Sequence, residues 1–215
     1  MVMYSLQALV LVSVGEQPSF VANKMLRLLN HVNSIFNSVS YVILDDDNLQ
    51  CWIIDVGDYE DLKEIMAGYE LAGVLLTHVH YDHIYGINKL LTDYPNVPIF
   101  TNKNGAKSLV SPSDNLSTYH GDKFVIQRPD NIKVVSDCER YEIGTLNVKI
   151  IKTPGHDYTC LSYIVGQWLF SGDAYIPGEK VFFKLQNGNK EEAVNSRSLL
   201  KVLSNKYILC PGHKR

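Results

Sequence analysis

The chain has 215 residues, 46% hydrophobic and 20% charged, and its 20 Lys+Arg against 23 Asp+Glu leave a net charge of −3. At this length a single domain or two small ones can bury roughly 70% or more of the unfolded surface, so no disulfide framework is required. The composition excludes intrinsic disorder and a polybasic nucleic-acid surface as starting readings.

Near the N-terminus the apolar run Leu9–Val14 is far below the roughly 20 residues that cross a bilayer. No Lys or Arg precedes it and no Ala-x-Ala site follows, so it is not read as a secretion signal. Cys51, Cys138, Cys160 and Cys210 are scattered without a CxxC pair. That pattern speaks against a thiolate zinc knuckle and fits a reducing cytoplasm.

Strands come first. Ser40–Leu44 and Gln50–Ile54 flank the turn cluster Asp45-Asp46-Asp47-Asn48 and read as a hairpin. Asp58–Met66, with Leu62, Ile65 and Met66 on one side, reads as a short helix. Gly73–Thr77 is a continuous apolar strand that stops at His78, and Ile87–Leu91 begins a helix ended near Pro95. A strand at Val97–Thr101 completes a β-α-β alternation. Further strands are expected near Lys133–Val135, Leu146–Lys152, Leu161–Val165 and Gln167–Ser171, then a helix over Lys190–Leu203 and a last strand Tyr207–Leu209. Two strand-rich halves, each with helices and no low-complexity linker between them, predict one α/β domain of two facing sheets with helices outside, a four-layer αββα sandwich.

The chemistry concentrates in Thr77-His78-Val79-His80-Tyr81-Asp82-His83, three imidazoles and a carboxylate directly after a buried strand. In a chain with only 7 His, chance is a poor source for such a cluster. Residues i and i+2 on an extended segment project the same way, so His78 and His80 can grip one ion while the following turn aims Asp82 and His83 at another. A complete site needs more ligands than one loop supplies. Candidates stand at equivalent places: His156 in Thr153-Pro154-Gly155-His156, Asp173 in Ser171-Gly172-Asp173 and His213 in Pro211-Gly212-His213, each just past a strand end beside a Gly that permits a sharp turn. His31 and His120 are read as solvated bystanders, and the cysteines as small hydrophobes.

These residues, in this order, resemble the metallo-β-lactamase-fold hydrolase superfamily and within it the glyoxalase II-like branch. The likeness runs from about Met25 to His213 and takes in Asn37–Leu44 and the Asp-x-Gly turn at Asp55-Val56-Gly57. It implies one metal on His78, His80 and His156, a second on Asp82, His83 and His213, and Asp173 bridging them. Imidazole and carboxylate donors without sulfur suit zinc first and also tolerate iron or manganese. Two such cations lower the pKa of a bound water from 15.7 toward about 7, supplying hydroxide as nucleophile. Asp82 would also orient that nucleophile, and Asp55 would fix the ligand loop from behind.

Departures from the family bear on substrate. Glyoxalase II adds a helical C-terminal domain that helps hold glutathione, whereas this sequence stops two residues after His213, and the usual Pro-Gly-His-Gly reads Pro211-Gly212-His213-Lys214. A bridging Asp173 is unlike true β-lactamases, and His80 departs from the His-x-Glu of flavodiiron proteins. The expectation is therefore a cytoplasmic hydrolase of a small thioester or related ester, acting on a small molecule and not on nucleic acid or membrane. Its rivals are a persulfide dioxygenase with one iron on His78 or His80, His156 and Asp173, and a non-catalytic metal-binding regulator. In the loop Tyr175–Gln186, Tyr175 and Lys184 are the expected substrate-binding residues. Residues 1–24 have no family counterpart and are expected to be a dispensable extension before a domain over 25–215.

Overall fold

The computed structural model describes residues 26–214. The expectations for residues 1–24 and for Leu9–Val14 lie outside that range. Among the described residues, eleven strands form two sheets. The first runs in the order β1 (Leu26–Val32), β2 (Val39–Asp45), β3 (Gln50–Ile54), β4 (Glu70–Leu75), β5 (Ile99–Thr101), β6 (Ile132–Val134). β1, β2 and β3 pair antiparallel, and β3 to β6 pair parallel. The second sheet runs β11 (Ile208–Pro211), β10 (Trp168–Gly172), β9 (Leu161–Val165), β8 (Leu146–Lys152), β7 (Cys138–Ile143). Its pairs are antiparallel except β10 with β11.

The period of two in the strands decides which layer each side chain joins. Tyr41 and Ile43 of β2 and Trp52 and Ile54 of β3 face the second sheet, where they meet Leu161, Tyr163 and Phe170. Val42, Leu44, Cys51 and Ile53, one residue out of phase, face outward onto α1 (Tyr59–Ile65) and α2 (Ile87–Asp93) through Leu62, Ile87 and Leu90. On the far side, Ile164 and Leu169 pack on Leu200 of α4 (Lys190–Leu203). Helix, sheet, sheet and helix thus stack as the expected αββα sandwich.

Most expected elements fall within a few residues of those observed. Asp58 precedes α1 but does not cap it; its carboxylate instead accepts from Ser34 N–H at 2.7 Å and Ser34 Oγ–H at 2.8 Å. Among the described strands and α-helices, three have no sequence-derived counterpart. β1 is an edge strand with intermediate and exposed residues, so burial leaves no clear alternation. β7 carries mixed polar composition and a register shift, and α3 (Lys103–Ser108) has a glycine inside it. Asn102 starts α3 by accepting from the Gly105 N–H at 2.8 Å. No helix among the described residues is long and apolar enough to cross a membrane.

Chain direction sets where the functional residues gather. β3 and β4 run parallel, so Asp55 and the segment after Leu75 leave the first sheet at one end. In the second sheet β8 and β10 are both antiparallel to β9, and β11 is parallel to β10. The three segments after them therefore leave together too. Trp52 locks the sheets face to face: it is fully buried and its indole N–H donates to the Ile143 carbonyl of the opposite sheet at 3.0 Å. Trp52→Ala should cost about 3–5 kcal/mol of stability, measured as a fall in urea-unfolding free energy.

Candidate metal centre

β4 ends at Leu75, and the next two residues are pinned to the other sheet. The Leu161 N–H donates to the Thr77 carbonyl at 2.7 Å, and the Tyr163 hydroxyl donates to the Leu76 carbonyl at 2.7 Å. The chain then passes His78, is extended at His80 and tightens into a single 3-10 turn over Tyr81–His83. Beyond the turn, Asp82 and His83 gather with His213, while His78 and His80 gather with His156. Gly172, at φ +50°, makes the corner that presents Asp173. A Cβ on Gly212 would overlap Asp173 Oδ1, so only glycine lets the last strand pass so close.

Two trios of ligand atoms result, each lying within 4.8 Å of one another: the buried His78, His80 and His156, and the buried Asp82 and His83 with the half-buried His213. Asp173 lies between them. Its Oδ2 is 3.6 Å from His156 Nε2 and 3.2 Å from His213 Nε2, and its Oδ1 is 3.6 Å from His83 Nε2. His213 Nε2 stands 3.3 Å from His83 Nε2 and 3.4 Å from Asp82 Oδ2.

Every imidazole commits one ring nitrogen to an outer acceptor, which fixes the ring and leaves the other nitrogen facing inward. His83 Nδ1 donates to Asp55 Oδ2 at 2.9 Å, and His78 Nδ1 to Thr77 Oγ1 at 3.1 Å. His80 Nε2 donates to Asp157 Oδ2 at 3.3 Å. His156 Nδ1 and His213 Nδ1 donate to backbone carbonyls, of Phe182 at 2.7 Å and of Phe36 at 3.0 Å. Asp55 also falls within ligand distance of His78 and His83, but its oxygens are already occupied by the Thr77 N–H, the Thr77 hydroxyl and His83. It orients the loop, as expected.

The inward atoms fit divalent cations. His78 Nε2 and Asp173 Oδ1 are buried and have no hydrogen-bond partner among the described residues, a costly state unless a ligand satisfies them. Burial pushes His78 well below the usual imidazole range, with His83 and His80 adding to the effect. Burial likewise lowers His156, so both rings present free lone pairs. Around the second trio the carboxylates reverse the balance. Burial favours neutral His83, but Asp82, then Asp173 and Asp55, outweigh it and raise the pKa to about 10. His213 is also raised, its bond to Asp173 overcoming burial. Burial works against ionised Asp173, yet His213 and the surrounding imidazoles hold it well below the usual carboxylate range.

The expected substrate-binding pair is not at this centre. Tyr175 packs beside Leu169 and Leu200 with the Arg197 guanidinium 5.7 Å above its ring, and Lys184 is exposed and does not line the adjoining cavity. The turn after Asp173 sends Tyr175 inward toward α4. Instead, a cavity of about 250 Å3 opens onto His156, Asp173 and His213 and is walled by Phe36, Phe182, Lys180 and Lys214 among others. His31 lies away with Asp58 and Asp61, at 3.5 Å from each. His120 packs edge-on to Phe36 at 5.3 Å. Asp157 was not anticipated from the sequence; its only signal there is its place directly after His156.

The model for the metallo-beta-lactamase superfamily matches residues 35–213. The chain belongs to this superfamily. It is 30% identical over 175 residues to a hydroxyacylglutathione hydrolase of Buchnera aphidicola subsp. Schizaphis graminum, covering 80% of this chain and 60% of that protein. The chain thus spans about 60% of the length of this relative. A probable metallo-hydrolase of Streptococcus pyogenes serotype M6 is 27% identical over 203 residues, covering 88% of this chain and 84% of that one. The crystal structure of the BLEG-1 B3 metallo-beta-lactamase superposes with a TM-score of 0.77 at 24% identity, over 88% of this chain and 92% of the other, a likeness of fold.

Asp55→Asn removes an acceptor shared by His83 and Thr77, and should weaken metal binding about 10–100-fold with the circular dichroism spectrum unchanged, read by chelator competition. The raised His83 carries a proton at neutral pH that a cation must displace, and His213 is shifted in the same direction, whereas burial lowers His78 and His156. Metal affinity should therefore fall from about pH 8 to pH 6, more steeply at the Asp82, His83 and His213 position, with proton release measured calorimetrically in buffers of different ionisation heat.

Proposed function

We propose that this protein is a dinuclear metallo-hydrolase of a small thioester or related ester. The observation that carries the reading is the pair of adjacent ligand trios with Asp173 between them, open on one side to a small cavity. His78, His80 and His156 would hold one divalent ion, Asp82, His83 and His213 the other, and Asp173 would touch both. Zinc matches the nitrogen and oxygen donors, which iron or manganese also tolerates. When bound, such ions supply Lewis acidity and a nucleophile generated from water at neutral pH.

The chain's own groups do the rest. Asp82, 8% exposed at the centre, would orient the attacking water. The cavity, at about 250 Å3, is smaller than the roughly 300–1,000 Å3 that encloses drug-sized ligands. It therefore suits a short acyl group. Three cysteines offer no competing nucleophile: burial pushes the Cys210 and Cys51 thiols up to about 12 and the Cys160 thiol well above its ordinary range. The same three free, buried cysteines support the cytoplasm as compartment.

Elemental analysis with a panel of thioester, lactone and phosphodiester substrates tests this reading, and two metals per chain with thioester turnover are expected. Asp173→Ala should lose both ions together, and His213→Ala mainly one. An Asp173→Ala protein that kept both ions and full activity would sink the bridging assignment. One iron per chain, with oxygen consumption on glutathione persulfide, would replace the hydrolase with a dioxygenase.

A further inference from the structure

A second cavity, of about 370 Å3, shares no lining residue with the one at the metal centre. The loop between β8 and β9 contributes to both. Its Pro154, Tyr158 and Cys160 line the second cavity, whereas His156 lines the first and Asp157 holds His80 at 3.3 Å. The rest of the second cavity comes from the ends of β5 and β6 and from α4: Asn102, Lys103 and Asn104 follow the one strand, and Val134 closes the other. These walls are fixed by the fold. The Pro154 carbonyl accepts from Ser196 Oγ–H at 2.7 Å, and the Gly155 carbonyl from the Asn189 N–H at 2.9 Å, which hold the loop against the start of α4. Asn102, 7% exposed, accepts from the Gly105 N–H at 2.8 Å and donates to the Tyr158 carbonyl at 3.3 Å. The Tyr158 hydroxyl lies 3.1 Å from Ser108 Oγ.

The charge in this cavity is unbalanced. Lys103 and Lys152 both line it, and neither makes an ion pair among the described residues. Glu192 is the one carboxylate in its wall, in a protein whose overall charge is −3. Two unpaired cations on one cavity repel each other, and an anion between them turns that repulsion into attraction. Asn102, Asn104 and Ser136 add neutral hydrogen-bonding groups, while Val134, 59% exposed, makes an apolar wall with Val135 and Pro154. Exposed lysines are commonly just solvated. Here they stand over a fixed, buried amide and an apolar wall, in a volume within the roughly 300–1,000 Å3 of small-molecule sites. We propose that this cavity is a second ligand site, separate from the hydrolytic centre, that binds an organic anion: a phosphate or carboxylate held by Lys103 and Lys152, on a short apolar body packed against Val134, Val135 and Pro154.

Phenyl phosphate, benzoate and neutral benzyl alcohol separate the charge from the body. Each is titrated calorimetrically into the zinc-loaded protein, with backbone amide shifts recorded alongside to locate it. At least one of the two anions should bind and shift amides in 102–104, 134–136 and 152–154, and the tighter of the two identifies the anionic group. Benzyl alcohol should bind about tenfold more weakly. Lys103→Gln/Lys152→Gln should weaken that anion about tenfold at unchanged zinc content, and Lys→Arg at both positions should keep the affinity. Glu192→Gln removes the opposing charge and should tighten the anion about threefold. Effects of opposite sign at two places on one wall separate a lost partner from a damaged fold. The affinity should also fall between roughly 0.05 and 0.5 M salt. Anions coordinate metal ions too, so shifts confined to the surroundings of His156, Asp173 and His213 would overturn the proposal. So would an affinity that ignores both the lysine and the Glu192 substitutions, or benzyl alcohol binding as tightly as the anions. Neither outcome depends on whether thioesters are hydrolysed.

Discussion

One buried carboxylate sets the geometry on which the centre depends. Asp55 leaves β3 at φ +58°, a conformation non-glycine residues seldom adopt. Its two oxygens accept from the Thr77 N–H at 2.8 Å, the Thr77 hydroxyl at 2.6 Å and His83 Nδ1 at 2.9 Å. Through Thr77 Oγ1, which accepts from His78 Nδ1, the same carboxylate orients a ring in the other trio. Two ligand positions are therefore coupled through a residue that touches neither inward-facing donor set. Such a carboxylate is tolerable at 1% exposure only because its acceptor sites are filled.

The two sheets give that network its rigidity. Five imidazoles and two carboxylates crowded at strand ends would not hold together by themselves, since like groups repel and each buried polar atom pays for lost water. The apolar layer of Trp52, Ile54, Leu75, Tyr163 and Phe170 brings the sheets together independently of the centre. The bonds from Leu161 to Thr77 and from Tyr163 to Leu76 then fix the ligand loop against the opposite sheet. Function sits at strand ends for the same reason: the backbone behind each ligand is held by its ladder, and only the last residues are free to turn.

The cavity walls and the centre are built from shared parts. Phe36 and Phe182 each lend a backbone carbonyl to a histidine and a side chain to the cavity rim. The segments facing a substrate are thereby the segments that hold the ligand rings in place. A displacement of either segment would move both at once, which ties what the cavity can admit to the state of the centre.

Much of this was legible in the sequence because its causes are local. Alternation in Ser40–Leu44 and Leu161–Val165 follows from the pleat, and the spacing in His78-Val79-His80-Tyr81-Asp82-His83 follows from an extended segment entering a turn. Glycines beside His156, Asp173 and His213 marked the corners. β1 and α3 were illegible since one is a half-exposed edge and the other a single short turn around Gly105, and neither needs an apolar repeat. Asp157 and the carbonyls of Phe36 and Phe182 escaped because a hydrogen bond to a backbone atom, or between residues 77 apart as for His80 and Asp157, leaves no spacing to read. The misplacement of Tyr175 and Lys184 has the same origin: a loop's composition does not say which side of it faces the cavity. The sequence by itself determined the residue types, their strand-end positions and the two-sheet pattern, all set by local backbone periodicity. Only the tertiary structure decided which ring nitrogens turn inward and which lysines reach the cavity, because those depend on partners brought close by the packing of one sheet on the other.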